Sequence, residues 1–171
     1  MKNVFNPLKK MLAAFAFMLA VAHMAQAQHL SVNELIDLRA KSLEELQTVL
    51  GKKGWVYRGQ CGTGEDGERY CFKIGDKKGD GLASVLYVVK NGDDQSLEYT
   101  VYRPGLITQI QNNIRNAAFK LVGQKPINEQ IKLRVYEKGQ DVLVARGGVD
   151  RKYYSLEIHQ KPSYRRMQAS R

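Results

Sequence analysis

The stretch GKKGWVYRGQ at residues 51–60 lies without a gap on RNAAFKLVGQ at 115–124. Trp55 falls on Phe119, Tyr57 on Leu121, Gly59 on Gly123 and Gln60 on Gln124. Upstream, Leu43, Leu46 and Leu50 fall on Ile107, Ile110 and Ile114. Downstream, Phe72 falls on Tyr136 and Gly75 on Gly139. The offset is 64 residues throughout. A helix end leading into an extended run therefore occurs twice. Whatever architecture the first half takes, the second half must be able to take it as well.

The helices are legible from spacing and caps. Between Ser31 and Leu50, the residues Val32, Leu35, Ile36, Leu43, Leu46, Val49 and Leu50 recur at helical intervals. Ser31 with Glu34, and Ser42 with Glu45, have capping-box form, so the helix is expected to break or kink near Lys41. Gly51 and Gly54 stop it. Pro104-Gly105 opens another helix, with Leu106, Ile107, Ile110, Ile114, Ala117 and Ala118 as its apolar stripe.

Strands are expected at about 55–60, 69–74, 82–90 and 96–103, and again from Phe119 to Val122 and at about 130–137, 141–146 and 152–160. Leu82 to Lys90 is apolar on both parities, the mark of a strand covered on both faces. Leu97, Tyr99 and Val101 alternate with Glu98, Thr100 and Tyr102, the mark of a strand with one wet face. Asn91-Gly92-Asp93-Asp94, Gly139-Gln140 and Gly147-Gly148 are turn signals. The expected fold class is α+β: two tandem α-β-β-β-β units at 28–104 and 105–161, with antiparallel sheet and helices on one face. Residues 162–171 carry Arg165, Arg166 and Arg171 with little apolar content and read as a disordered basic tail.

The first 27 residues read as an address rather than as structure. Lys2, Lys9 and Lys10 form a basic start, MLAAFAFMLAVA is an unbroken apolar run of 12, and Ala25-Gln26-Ala27 has the small-x-small form of a cleavage site. Twelve apolar residues are too few to cross about 30 Å of hydrocarbon. A secretory signal peptide is expected, cleaved near Ala27, with no transmembrane segment left afterwards. The mature chain would lie in the periplasm or outside the cell. Cys61 and Cys71 bracket a glycine-rich acidic loop, and in an oxidising compartment the pair is expected to form a disulfide. Their spacing is not a redox motif, and two thiols do not complete a metal site. Glu65, Asp66 and Glu68 lack the ligand pattern of a calcium loop.

Charge divides the mature chain. His29 to Pro104 holds 11 basic and 12 acidic residues, whereas Gly105 to Arg171 holds 13 and 5. Such a surplus supports nonspecific attraction to polyanions. No nucleic-acid motif accompanies it, so no specific nucleic-acid partner is expected. Catalytic motifs are equally scarce: there is no G-x-S-x-G elbow, H-E-x-x-H pair or P-loop. No catalytic residue, metal or cofactor is assigned. A hydrolase would require His159 in a pocket beside a perturbed carboxylate.

Strand parity nominates a binding face. If Ile131, Leu133 and Val135 face the helices, Lys132, Arg134 and Tyr136 face outward. If Tyr154, Leu156 and Ile158 face inward, Tyr153, Ser155, Glu157 and His159 face outward, and Tyr102 shares that parity. The nominated set is Tyr102, Lys132, Arg134, Tyr136, Tyr153 and His159. Tyr and Arg are enriched in interface hot spots, although Tyr, Thr, Lys and Arg are also common on wet strand faces.

The signal ending AQAQ, the helix exit LGKKGW, and the second helix leading into AAFKLV resemble small exported α+β proteins of uncharacterised function from Bacteroidota. The tandem α-β4 plan is more loosely similar to the β-lactamase inhibitory proteins. That second likeness implies a protein held on an open sheet face, and it transfers no functional residue. The leading expectation is an exported, non-catalytic binding module for a protein partner, as an inhibitor, immunity-type or accessory protein. The alternative is binding of an anionic envelope lipid or glycan through the basic second half.

Overall fold

The structure is a computed structural model and describes residues 29–64, 67–75, 82–129, 131–148 and 152–169. The expected signal peptide lies outside these residues, as do Glu65 and Asp66 of the acidic loop. Two short helices, α1 (Val32–Arg39) and α2 (Leu43–Lys52), precede a four-strand meander: β1 (Val56–Gly64), β2 (Gly67–Gly75), β3 (Leu82–Asn91) and β4 (Asp94–Val101). Helix α3 (Pro104–Asn116) precedes a second meander: β5 (Lys120–Pro126), β6 (Ile131–Lys138), β7 (Asp141–Gly148) and β8 (Tyr154–Gln160). Helix α4 (Lys161–Ala169) follows.

Both capping boxes form. The Ser31 and Ser42 hydroxyls accept from the backbone N–H groups of Glu34 and Glu45, and each glutamate reaches back to its serine N–H. The second box breaks the chain at Lys41, because an N-cap residue must be extended, and Ser42 has ψ 161°. Pro104 sits in the first turn of α3, where its missing N–H costs nothing.

All eight strands form one antiparallel sheet, in the order β1-β2-β3-β4-β8-β7-β6-β5. The two meanders meet at β4 and β8, where Leu97 pairs with Ile158, Tyr99 with Leu156 and Val101 with Tyr154. These six side chains are buried. They face Leu35 and Leu38 of α1, Leu46 and Leu50 of α2, and Ile107, Ile110 and Ile114 of α3 in one hydrophobic core. Helix α1 lies over β4 and β8 and also touches α3, while α2 packs on β1. Trp55 enters the core beside Tyr99, with ring centroids 6.0 Å apart.

The 64-residue offset extends to strand register. Val56↔Lys73, Tyr57↔Phe72 and Gln60↔Tyr70 in the first meander match Lys120↔Glu137, Leu121↔Tyr136 and Gln124↔Arg134 in the second. A register shift follows Tyr57 in one and Leu121 in the other. The helix exits match too: Gly54 has φ 82° and Ala118, its counterpart, has φ 60°. The left-handed conformation suits glycine and costs an L-residue about 1–2 kcal/mol.

Two expectations need correction. Residues 161–169 are helical rather than a disordered tail. Helices also lie on both faces of the sheet. Helix α4 crosses the face opposite α1–α3, where Tyr164 stacks on His159 at 5.6 Å. Thr100 is buried rather than wet, its hydroxyl donating to that of Ser155 at 3.3 Å.

The disulfide joins β1 to β2, with Cα atoms of Cys61 and Cys71 5.9 Å apart. Replacing both cysteines with alanine should lower stability by about 2–3 kcal/mol, read by urea denaturation of the oxidised protein. Ala118 is exposed, so Ala118→Gly removes backbone strain without removing packing. It should raise stability by about 1 kcal/mol in the same assay.

Candidate functional site

Strand β6 carries the first finding about the nominated residues. Arg134 pairs with Ala145, which pairs with Leu156, and Tyr136 pairs with Leu143, which pairs with Ile158. Leu156 and Ile158 face the helical core. Lys132, Arg134 and Tyr136 therefore lie on the helix side, not on the opposite face as parity had suggested. The apolar set Leu133 and Val135 faces the other way, into a groove shared with Val144, Tyr164 and Met167. Those residues are apolar because α4 returns over that face, so both parities of β6 meet a helix.

On the helix side, Lys132, Arg134 and Tyr136 converge with Tyr153 in a cleft of about 480 Å³ between α3 and the β6–β7–β8 surface. Tyr153 precedes the first residue of β8, so strand parity does not govern its direction. Four of the six nominated residues thus share one site. Helix α3 adds Gln111 and Arg115, four residues apart and hence on one helical face. That spacing was visible in the sequence, but nothing there placed it beside β6. Tyr154 and Gly147 complete the floor. Among the described residues, no Asp or Glu lines the cleft. Arg115, Lys132 and Arg134 make no ion pair with a described residue, whereas Arg39, Lys53, Arg69, Arg146, Lys161 and Arg166 all do. The cleft is a local concentration of positive charge between phenol rings.

Tyr102 and His159 stand apart from it. Tyr102 lies just beyond β4 on the opposite face and is 40% exposed. His159 is on that face too, buried beneath α4.

The opposite face carries a second polar cluster. Glu98 and Glu157 are direct cross-strand partners on β4 and β8. Arg69 lies 3.4 Å from Glu98, and the Ser155 hydroxyl donates to Glu98 at 3.4 Å. Glu157 pairs with Arg146 and lies 3.3 Å from His159 Nε2. Burial, with the neighbouring Glu157 charge adding to it, pushes the Glu98 carboxyl above its ordinary range. Burial also acts to raise Glu157, but His159 and Arg146 outweigh it and hold that carboxyl low.

Arg69, Glu98, Glu157 and His159 line a small cavity of about 100 Å³, closed at one side by Ser163 and Met167 of α4. Helix α4 is tied down by Asp94, which accepts from Ser163 at 2.7 Å and from Arg166 at 2.7 and 2.9 Å, and by the Lys161–Glu137 ion pair. His159 and a perturbed carboxylate do meet in this cavity. The hydroxyl of Ser155, however, is engaged by Glu98. It is four residues from His159 along an extended strand, a separation of about 13 Å. A histidine that is to activate a hydroxyl must be within hydrogen-bond reach of it.

Among the described residues, no three His, Cys, Asp or Glu side chains are grouped to hold a metal ion. Among the same residues, no helix is long and apolar enough to cross a membrane.

The two carboxylates make opposite contributions. A lowered carboxyl stabilises the fold above its unfolded pKa, and that contribution is lost as pH falls through the folded value. A raised one costs stability when ionised, and the cost is relieved as pH falls through its folded value. At pH 7, Glu98→Gln should therefore raise the unfolding midpoint. Glu157→Gln should lower stability by about 1–3 kcal/mol, since Arg146 loses its charged acceptor. Thermal denaturation at pH 7 and pH 4 checks both signs, and the gain from Glu98→Gln should shrink at the lower pH.

Comparison with known proteins gives no matching family model, no matching curated protein and no matching solved structure.

Proposed function

We propose that this chain is an exported, non-catalytic binding module that engages an anionic component of the cell envelope, a lipid or a glycan, in the cleft between α3 and β6–β7. One observation carries the reading. Lys132, Arg134 and Arg115 converge with Tyr136 and Tyr153 in a cleft that, among the described residues, no acidic side chain lines. Unneutralised cations held on a sheet and a helix attract an anion without first breaking an internal ion pair. Tyrosines beside them offer apolar walls with polar ends, which suits a sugar ring or the glycerol region of a lipid.

Export rests on the signal-peptide form of residues 1–27, and the Cys61–Cys71 disulfide is compatible with it. The periplasm or the exterior is the matching location. The leading expectation from the sequence is instead a protein held on the open sheet face. Three of its residues, Lys132, Arg134 and Tyr136, lie on the helix side instead, and α4 crosses the face it required.

The test uses the mature chain, residues 28–171, with vesicles of anionic phospholipid, vesicles of zwitterionic phospholipid, and an anionic envelope glycan. Retention on at least one anionic material should weaken about tenfold or more in the Lys132→Ala, Arg134→Ala double variant. It should also be lost at about 0.5 M salt, where screening shortens the reach of exposed charges. Equal retention on zwitterionic vesicles, or binding indifferent to salt, would overturn the reading. So would a protein partner from the envelope that the double variant holds as tightly as the parent chain.

A further inference from the structure

The floor of the cleft contains a group whose chemistry is incomplete. Tyr154 is 3% exposed, and its hydroxyl is buried without a hydrogen-bond partner among the described residues. Arg134 stands beside that hydroxyl without meeting hydrogen-bond geometry, and Tyr136 is the neighbouring phenol. A buried, unpaired hydroxyl has given up its water partners without a replacement, which costs stability. Burial foremost, with Tyr136 adding to it, raises this phenol to about 12, so at neutral pH it keeps its proton as a donor.

The backbone is shaped to put the ring there. Gly147 is the cross-strand partner of Tyr154 on β7. A Cβ at Gly147 would lie 2.6 Å from Tyr154 Cδ2 and 3.0 Å from Cε2. The ring therefore lies on the glycine backbone, and any side chain at 147 would displace it. Glycine weakens a strand interior and often marks such a close approach.

We infer that the cleft floor is a seat for one compact phosphate-type oxyanion, held by the Tyr154 hydroxyl and the Arg134 guanidinium, with Lys132 and Tyr136 at its flanks. This rests on the binding reading above and names the chemical group recognised. The anion would complete the Tyr154 hydroxyl and offer Arg134 a planar two-point contact. Gln124 accepts from Arg134 Nε at 3.3 Å and steadies the guanidinium. A phosphate ester on a lipid headgroup or on a sugar, and free phosphate, share this chemistry.

Tyr154→Phe removes only the hydroxyl. Because that hydroxyl is unpaired, the variant should fold and, without ligand, melt at or above the parent temperature. In the mature parent chain, inorganic phosphate should raise the melting temperature above a chloride control of equal ionic strength. It should also shift the Gly147 and Tyr154 amide resonances. Tyr154→Phe should weaken phosphate binding about tenfold or more, and Arg134→Ala should do the same.

Phosphatidylglycerol and phosphatidylcholine vesicles separate the sources. Displacement of the protein from phosphatidylglycerol by phosphate assigns the seat to a headgroup. Phosphate binding without vesicle binding removes the lipid arm of the envelope reading while keeping the seat; if the anionic envelope glycan is not retained either, the seat belongs to a soluble ester or ion and the envelope reading is overturned. A phosphate response that equals chloride, or that survives Tyr154→Phe unchanged, overturns the seat. If phosphatidylglycerol binding persists alongside that result, the envelope reading stands without it.

Discussion

The pairing of β4 with β8 supports everything else. Among the described residues it is the only strand pairing that joins the two meanders, and it places Leu97, Tyr99, Leu156 and Ile158 at the centre of the core. Side chains alternate across a strand, so the same register decides the other face. With Tyr99 opposite Leu156, Glu98 must stand opposite Glu157. Like charges directly opposed in a sheet are destabilising. Arg69, Arg146 and His159 offset that cost, and the two carboxyls shift in opposite directions, Glu98 upward and Glu157 downward. The polar cluster is thus a consequence of core register.

Helix α4 is the second organising element. None of its residues is fully buried, and its main ties are the Asp94 and Glu137 contacts near its ends. It nevertheless determines how β6 reads. Leu133 and Val135 are apolar toward α4, which frees Lys132, Arg134 and Tyr136 to stand on the helix side, where α3 adds Arg115. The cleft exists because a basic strand face was turned toward a helix rather than toward open water.

Much of the chain was legible because it rests on local rules. The capping boxes at Ser31 and Ser42, the break at Lys41 and the proline start of α3 are decided within a few residues. The 64-residue offset located the second helix exit, and the β1–β2 register recurs in β5–β6 because the same number of residues separates the paired positions. Residues 161–169 misled because their composition is polar, and their helix depends on Asp94 and Glu137, which lie far off in the sequence. His159 misled for the same reason. It looks like a strand-edge residue until Tyr164 closes over it.

The sequence alone determined the element types up to Gln160, the disulfide pair and the residue types that meet in the cleft, Lys132, Arg134, Tyr136 and Tyr153. Only the tertiary structure decided which side of the sheet they occupy. On β6 neither parity is fully buried, so local hydrophobicity could not choose between them. The choice was made two strands away, by Leu156 and Ile158 in the core, and transmitted through register.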